Sequence, residues 1–387
     1  MITLADRQTP GMQVVILESV DDLQGHIPCI EDLLAETLEP NVFYEPWMLL
    51  PAVRYLDSQD LRFVLVYADS SEASQPRTLC GFFPMEREPH YRGLPLTVFR
   101  LWKHDYCFLC TPLLRASRAQ EALSAFCDWL CMQNAGICEF GYISADGPFW
   151  GCLERCIAER RWQSFVSGCY QRPILVKPEH PDDYLRSGLF RSNLKSMARR
   201  SKHLAEQADV AYASLEAGEE VDAWIQNFLS LEASGWKGRE GTAMACHDDH
   251  RHFFERITTD AFRRNQLMMT RLLGGGHPIA ASCIFRTGRA SFGFKVAFDE
   301  AFAKFSPGTL LELDNIRRFT AQADIDWVDS CAAPDHPQLS RLWKERRRIA
   351  TVAFAVENTS ARMIISILPA VRTWYHAVRR LQEGWTV

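Results

Sequence analysis

The chain lacks a strong charge of either sign. Its 43 lysines and arginines stand against 48 acids, a formal net charge of −5 over 387 residues. That excludes a bulk electrostatic grip on nucleic acid, so any basic site must be local. It also lacks a run of about 18 apolar residues, the length a spanning helix needs. The best candidate, 349–370, is cut by Glu357, Asn358 and Arg362. The opening Met-Ile-Thr-Leu-Ala-Asp-Arg has no basic segment leading into an apolar one, and the 13 cysteines are odd in number. Both argue against a secreted disulfide scaffold and for a reducing compartment. The expectation is a soluble, cytoplasmic protein without membrane insertion. A metal site is lacking too. The single Cys-x-x-Cys, Cys107 to Cys110, has no second pair to complete a zinc centre and reads as packing within a strand over 106–109.

What is present is ordinary globular composition, 47% hydrophobic and 24% charged, in a chain long enough for two or three domains. Periodicity predicts a strand at 12–18, helices at 21–38 and 45–56, and strands at 61–68, 79–86 and 96–101. A helix at 117–133, a strand at 138–143 and a helix at 149–159 follow. The order then repeats. A strand at 209–213 precedes helices at 219–233 and 247–264, and strands at 266–272, 278–286 and 291–298. A helix at 309–323, a strand at 325–331 and a helix at 338–348 close the second half. Three successive strands predict an antiparallel meander, and a helix between later strands predicts a parallel crossover. The halves share this order but no visible sequence similarity. The proline-bearing stretch Lys177-Pro178-Glu179-His180-Pro181 separates them. The expected division is 1–176, 182–350 and a helical tail 351–387. In the tail, Ile365, Leu368, Val371, Tyr375, Val378 and Leu381 keep helical spacing. That set predicts a helix docked on the body, with a partner-binding or membrane-surface helix as the alternative.

Several residues could carry chemistry. Ser306-Pro307-Gly308-Thr309 sits between a strand and a helix, where free N–H groups at the helix start suit an anion such as a pyrophosphate; a plain turn is the other reading. Alternation along 291–298 puts Phe292, Phe294, Val296 and Phe298 on one packed face. The narrow opposite face carries Lys295, which could reach a phosphate or carboxylate, or simply be exposed. The strand 325–331 aligns Ile325, Trp327, Asp329 and Cys331. Burial would raise the Asp329 pKa unless it is paired. His336, beside Asp335 in a proline-flanked loop, is suited to proton transfer; structural roles are the alternative for both Asp329 and His336. Glu232 ends a helix before a glycine-punctuated loop bearing Trp236, Lys237 and Arg239, a loop type that often binds ligands. Between Arg186 and His203, Arg191, Lys195, Arg199 and Lys202 form a basic row beside an apolar stripe of Phe190, Leu194, Met197 and Leu204. The row is either solvated or a grip for a coenzyme phosphate, a polyanion or RNA.

These segments together resemble the GNAT-superfamily acyltransferases of the CelD/BcsL cellulose-biosynthesis type, from Phe43-Tyr44-Glu45-Pro46-Trp47 to Arg348. The resemblance is strongest in 190–196, 234–238, 241–243, 294–299, 305–308 and 329–332, with Ala333-Pro334-Asp335-His336-Pro337 and Leu342-Trp343-Lys344-Glu345-Arg346-Arg347 adding to it. It implies an α/β fold of tandem GNAT-like domains, each a mixed, mainly antiparallel sheet flanked by helices, as in the Fem aminoacyl transferases. It also implies an acyl-CoA donor, acetyl-CoA or another, held by Ser306, Pro307, Gly308, Thr309 and Leu310, with Phe298 and Lys304 before them. The matching place in the first half, Thr111-Pro112-Leu113-Leu114-Arg115, has no glycine, so only the second half is expected to bind coenzyme. The superfamily has no fixed catalytic residue. Asp329, His336 or Glu232 could take the acceptor's proton, Cys331 could serve as a nucleophile, and N–H groups near Ala297 and Phe298 could steady the oxyanion. Trp236, Lys237, Arg239, Lys295 and Asp335 are the candidate acceptor contacts. The expected activity is transfer of an acyl group to an amine or hydroxyl of a small molecule, with a link to exopolysaccharide synthesis. A Fem-like enzyme using aminoacyl-tRNA and a non-catalytic component of a polysaccharide-synthesis assembly are the alternatives.

Overall fold

The structure, a computed structural model, describes residues 9–56, 60–69, 77–187 and 191–383. The chain runs β1 (Met12–Leu17), α1 (Val20–Gln24), α2 (Ile27–Ala35), α3 (Pro46–Tyr55), β2 (Leu61–Ala68) and β3 (Leu79–Glu88). It continues through β4 (Val98–Leu101), β5 (Leu113–Leu114), α4 (Ala119–Met132), β6 (Ile137–Ser144), α5 (Pro148–Glu159) and β7 (Ser164–Val176). Then come α6 (Pro181–Ser187), α7 (Leu194–Gln207), β8 (Val210–Ser214), α8 (Val221–Ser234), α9 (Trp236–Arg239) and α10 (Asp248–Arg263). The rest is β9 (Leu267–Gly274), β10 (His277–Thr287), β11 (Ala290–Phe298), α11 (Pro307–Ala321), β12 (Trp327–Asp329), α12 (Leu339–Leu342), β13 (Glu345–Ala355) and α13 (Thr359–Glu383).

The chain divides into two compact units. The first draws its described residues from Met1–Tyr44, Ser58–Tyr170 and Arg348–Val387, and the second from Glu45–Asp57 and Gln171–Arg347. This differs from the linear division in three places, one being that 171–176, expected in the first domain, belongs to the second unit. Helix α3, from the first half of the sequence, belongs to the second unit. There Trp47 packs on Phe285 with ring centroids 5.3 Å apart, and buried Glu45 accepts from Gln266 at 2.9 Å. Most of β13 and the tail helix belong to the first unit. Of the tail residues expected to dock, Ile365 and Leu368 are buried there and Val371 is not; the side chains of Tyr375, Val378 and Leu381 lie outside the described residues. No described helix is long and apolar enough to cross a membrane.

Each unit carries the same strand scheme. In the first, β1 to β4 pair antiparallel in succession, and β4 pairs parallel with β6 across the α4 crossover. In the second, β8 to β11 pair antiparallel and β11 pairs parallel with β12 across α11. This is the mixed α/β architecture the strand order predicts. Four local readings are corrected. The helix expected over 21–38 is two helices broken at Gly25-His26. The stretch 106–109 is loop rather than strand, although Cys107 and Cys110 are buried in it with their sulfurs 3.6 Å apart. The helix expected over 338–348 is one short turn, α12, followed by β13, whose apolar run pairs antiparallel with β6 from Ile349↔Ser144 to Ala355↔Ile137. The fourth lies on β11, where the single packed face breaks. Cys283 faces Lys295 but Ile284 faces Gly293, so Phe294 is an extra residue, a β-bulge. Phe292 and Phe294 stay buried while Val296 and Phe298 turn out to solvent.

Candidate functional site

All the site residues drawn from the sequence lie in the second unit, around the C-terminal half of β11. Strand β11 pairs with β12 only over Ala290↔Trp327 to Phe292↔Asp329. Beyond that point β11 runs on to Phe298 while β12 ends, so among the described residues one edge of β11 is left without a strand partner. The Asp299 N–H donates to the Ile279 carbonyl on the β10 side. Strand alternation therefore turns the N–H groups of Phe298 and Val296 toward the unpartnered edge.

Two features border this edge. The first is the start of α11. Ser306 caps it in the left-handed region at φ 56°, and its carbonyl accepts from Thr309 and Leu310 N–H at 2.9 and 3.1 Å. Pro307 occupies the first turn, where a missing N–H costs nothing. A side-chain carbon at Gly308 would sit 3.9 Å from both Gln338 Oε1 and Phe298 Cδ1, ordinary van der Waals contact, so this turn lies against the end of β11 and the loop after β12. The Arg200 guanidinium, on α7, donates to Ser306 Oγ. A glycine-opened helix start with a guanidinium on its cap residue fits a pyrophosphate in charge and in donors. Lys304 is exposed, its ammonium 4.8 Å from the centre of the Phe305 ring. Arg200 was not singled out by the sequence. Its signal was present, since it falls on the buried stripe of Met197 and Leu204 as a lone cation. Arg191, Lys195, Arg199 and Lys202 face solvent; Phe190 lies outside the described residues.

The second feature is an open cleft of about 270 Å³ lined by Leu231, Glu232, Gly235, Trp236, Lys237 and Val296 to Phe298. Glu232, buried on α8, accepts from Lys295 Nζ at 2.8 Å, Lys237 Nζ at 3.2 Å and the Met244 N–H at 2.9 Å. Burial opposes its ionisation, but the two ammonium groups outweigh it and hold the carboxyl below its usual range. Burial lowers the Lys295 pKa against the pull of Glu232. The α9 turn is pinned from outside, Glu300 accepting from the Trp236 N–H at 2.7 Å and from Arg239 at 2.8 Å. Gly238 is required there, because a side-chain carbon would stand 1.8 Å from the Ala233 carbonyl oxygen.

The remaining candidates lie at the end of β12. Asp329 is fully buried. Arg172 on β7 grips both its oxygens at 2.7 Å, and Arg347 on β13 reaches Oδ2 at 3.0 Å. Burial alone would raise its pKa, but the two guanidinium groups hold the carboxyl below the usual range. Its Oδ1 also accepts from the N–H of Cys331 at 2.9 Å, fixing Cys331 at φ 51°. Burial and the neighbouring carboxylate push the Cys331 thiol well up, so it stays protonated. His336 Nδ1 accepts from the Leu339 N–H at 3.2 Å, which puts the ring hydrogen of the neutral form on Nε2; burial lowers its pKa. Asp335 is exposed. Glu232, Trp236, Lys237, Lys295 and Phe298 are thus brought together, and Phe298 joins them to Gly308. Asp329 and Cys331 are engaged separately. Among the described residues, no group of three or more His, Cys, Asp or Glu could hold a metal.

Residues 191–345 match the acetyltransferase (GNAT) domain family. A search of curated proteins finds no match. Among solved structures, the chain is similar to FemX at 9% identity and TM-score 0.53, over 87% of this chain and 96% of that one. It is also similar to a conserved protein of unknown function from Bacteroides thetaiotaomicron at 10% identity and TM-score 0.52, over 89% and 99%. At such identities these likenesses speak to fold alone. The match to the GNAT acetyltransferase domain family thus falls within the second unit, in a chain whose two units repeat one mixed α/β strand scheme.

Proposed function

We propose that the chain is an acyl-CoA-dependent N- or O-acyltransferase that moves an acyl group, in the first instance acetyl, to an amine or hydroxyl of a small molecule. One observation carries this reading: the edge of β11 that its partner strand leaves open runs to Phe298, beside the Arg200–Ser306–Gly308 corner. A thioester laid along the open edge of β11 meets N–H donors at Val296 and Phe298 while its pyrophosphate meets the α11 start. The acceptor enters over Trp236, Lys237 and Phe298, and Arg239 and Asp335 lie farther out. We assign the acceptor's proton to Glu232, the one carboxylate on the cleft lining. Its lowered pKa makes it a weak base, so turnover rises with pH as the attacking amine loses its own proton. Asp329 and Cys331 act as framework, and His336 offers a hydrogen-bond donor at Nε2. The link to exopolysaccharide synthesis rests on the CelD/BcsL-like motifs.

Calorimetric titration with acetyl-CoA tests the donor. Binding is expected, weakened about tenfold in Arg200→Ala, the loss of one charge-assisted hydrogen bond being worth about that much, and weakened in Gly308→Val because the branched side chain crowds the start of α11. No heat of binding and no thermal protection at about 1 mM acetyl-CoA sinks the reading. A second reading, an aminoacyl-tRNA donor, is favoured by the exposed row Arg191, Lys195, Arg199 and Lys202 on and before α7. It predicts RNA binding that falls steeply with salt, and a flat salt response removes it.

A further inference from the structure

The cleft beside β11 turns one charge toward a ligand, and it is positive. Its lining is apolar apart from Glu232 and Lys237. Both Glu232 oxygens are engaged, Oε1 by the Lys295 and Lys237 ammonium groups and Oε2 by the Met244 N–H, and its side chain is 1% exposed. The Lys237 side chain is 28% exposed, and among the described residues Glu232 is the one hydrogen-bond partner of its ammonium. That leaves two of its three N–H groups for a ligand. Of the other charges beside the cleft, Lys295 is buried against Glu232, and Arg239 and Glu300 pair with each other at 2.8 Å. Asp299 caps the turn after β11, accepting from the Ala301 N–H at 2.9 Å.

Neutralising Glu232 does not account for Lys237. Lys295 already does so, at 2.8 Å against 3.2 Å and more deeply buried. Two ammonium groups on one carboxylate oxygen repel each other, and an anion at the outer one relieves that repulsion. The turn that carries the outer one is also held in place. The Lys237 carbonyl accepts from the Thr242 and Ala243 N–H groups at 2.8 and 3.1 Å, and Glu300 fixes the turn on either side through the Trp236 N–H and Arg239. A cation on a fixed turn costs a ligand little ordering. One ammonium suits a carboxylate, whereas a phosphate is commonly met by several donors or a helix start. Around it Trp236, Val296 and Phe298 are 48, 46 and 37% exposed, an apolar surface for a side chain. A volume of about 270 Å³ lies just under the usual range for small-molecule sites and suits a ligand of amino-acid size.

We propose that the acceptor is an amine bearing a carboxylate and an apolar side chain, the carboxylate meeting Lys237 and the side chain lying on Trp236 and Phe298; this rests on the acyl-transfer reading above and adds what the acceptor carries. The test follows release of the coenzyme thiol at saturating acetyl-CoA, with L-leucine, L-phenylalanine and their amides as acceptors. The amides keep the amine and the side chain and lose the carboxylate. At least one acid is expected to exceed its amide about tenfold in kcat/KM, one charge-assisted hydrogen bond being worth about that much. Lys237→Gln should bring that ratio down about tenfold, through KM, and Lys237→Arg should keep most of it. Acetyl-CoA binding by calorimetry should be retained in both variants. If acetyl-CoA binds and neither acid outpaces its amide, the proposal is overturned, as it is when Lys237→Gln leaves the ratio unchanged. A preference for succinyl-CoA over acetyl-CoA that Lys237→Gln abolishes overturns it too, because the carboxylate would then belong to the acyl group. Failure to bind acetyl-CoA at all takes down the acyl-transfer reading itself, and the proposal with it.

Discussion

Replacing Asp329 by asparagine separates a framework carboxylate from a catalytic one. The change keeps the shape and removes one charge, leaving Arg172 and Arg347 facing a neutral amide. Arg172 is 1% exposed and Arg347 7%, so neither guanidinium can turn to water without opening the core. Losing one partner from such a buried set costs about 3–5 kcal/mol, because the remaining charges stay desolvated and uncompensated. For a unit of this size that is a drop in Tm of about 6–20 °C. Urea unfolding of the wild type, Asp329→Asn, Arg347→Met and the double variant gives the coupling. The double variant should lose less than the sum of the singles, since it removes a charge of each sign. The acid side gives a second readout. The folded pKa of Asp329 lies below its unfolded value, so its contribution is full above about pH 4 and disappears as pH falls through the lower folded value. Asp329→Asn should flatten that part of the pH–stability curve. If Asp329→Asn unfolds within about 0.5 kcal/mol of the wild type while acyl transfer is abolished, Asp329 is a catalytic group and the framework argument fails.

Two further outcomes follow from single residues. Gly238→Ala should break the α9 turn, because the added carbon overlaps the Ala233 carbonyl oxygen; acceptor turnover should fall while acetyl-CoA binding measured by calorimetry is retained. Glu312, half-buried on α11, accepts from Trp343 at 3.0 Å, and burial pushes its pKa up to about 7 against the Trp343 and Asn315 hydrogen bonds. The folded state then holds a proton that the unfolded state gives up, so stability declines as pH rises from about 4.5 through 7. Glu312→Gln should flatten that decline in thermal melts taken between pH 5 and 8, and an unchanged slope would assign the titration elsewhere.

The strands that alternate or run β-branched, such as 61–68 and 278–286, were legible because one period marks one buried face. Strand β7 was not, since Gly168 and Pro173 interrupt a stretch that only its neighbours hold extended. Nor was β13, whose Glu345-Arg346-Arg347-Arg348 start resembles the charged end of a helix. The membership of α3 in the second unit depends on Trp47 meeting Phe285 and Glu45 meeting Gln266, which are long-range contacts that periodicity does not carry. In the candidate site, the turn that starts α11 and the α9 turn were legible as local structure from Gly308 and from Gly235 and Gly238. The pairing of Asp329 was not. Its two arginines stand 157 and 18 residues away in sequence and only strand order brings them to it.

The same residues explain why the open edge of β11 begins where it does. At Gly293 a side-chain carbon would lie 2.9 Å from the Ser330 carbonyl oxygen, so only glycine lets the strands touch there. One residue past that carbonyl, Cys331 takes φ 51°, a turn-like geometry that a strand cannot continue. That geometry is uncommon for a non-glycine residue, and the Asp329 carboxylate holds it by accepting the Cys331 N–H. On the other strand, the bulge at Phe294 changes which side chains face out and so delivers Val296 and Phe298 to the cleft. Close approach at Gly293, forced exit at Cys331 and a reset of facing at Phe294 fall within a few residues of one another. The separation of β11 and β12 is therefore written into particular side chains rather than left over from a short strand. On this argument Gly293→Ala should disturb the edge and the binding of a donor there before it disturbs the rest of the sheet.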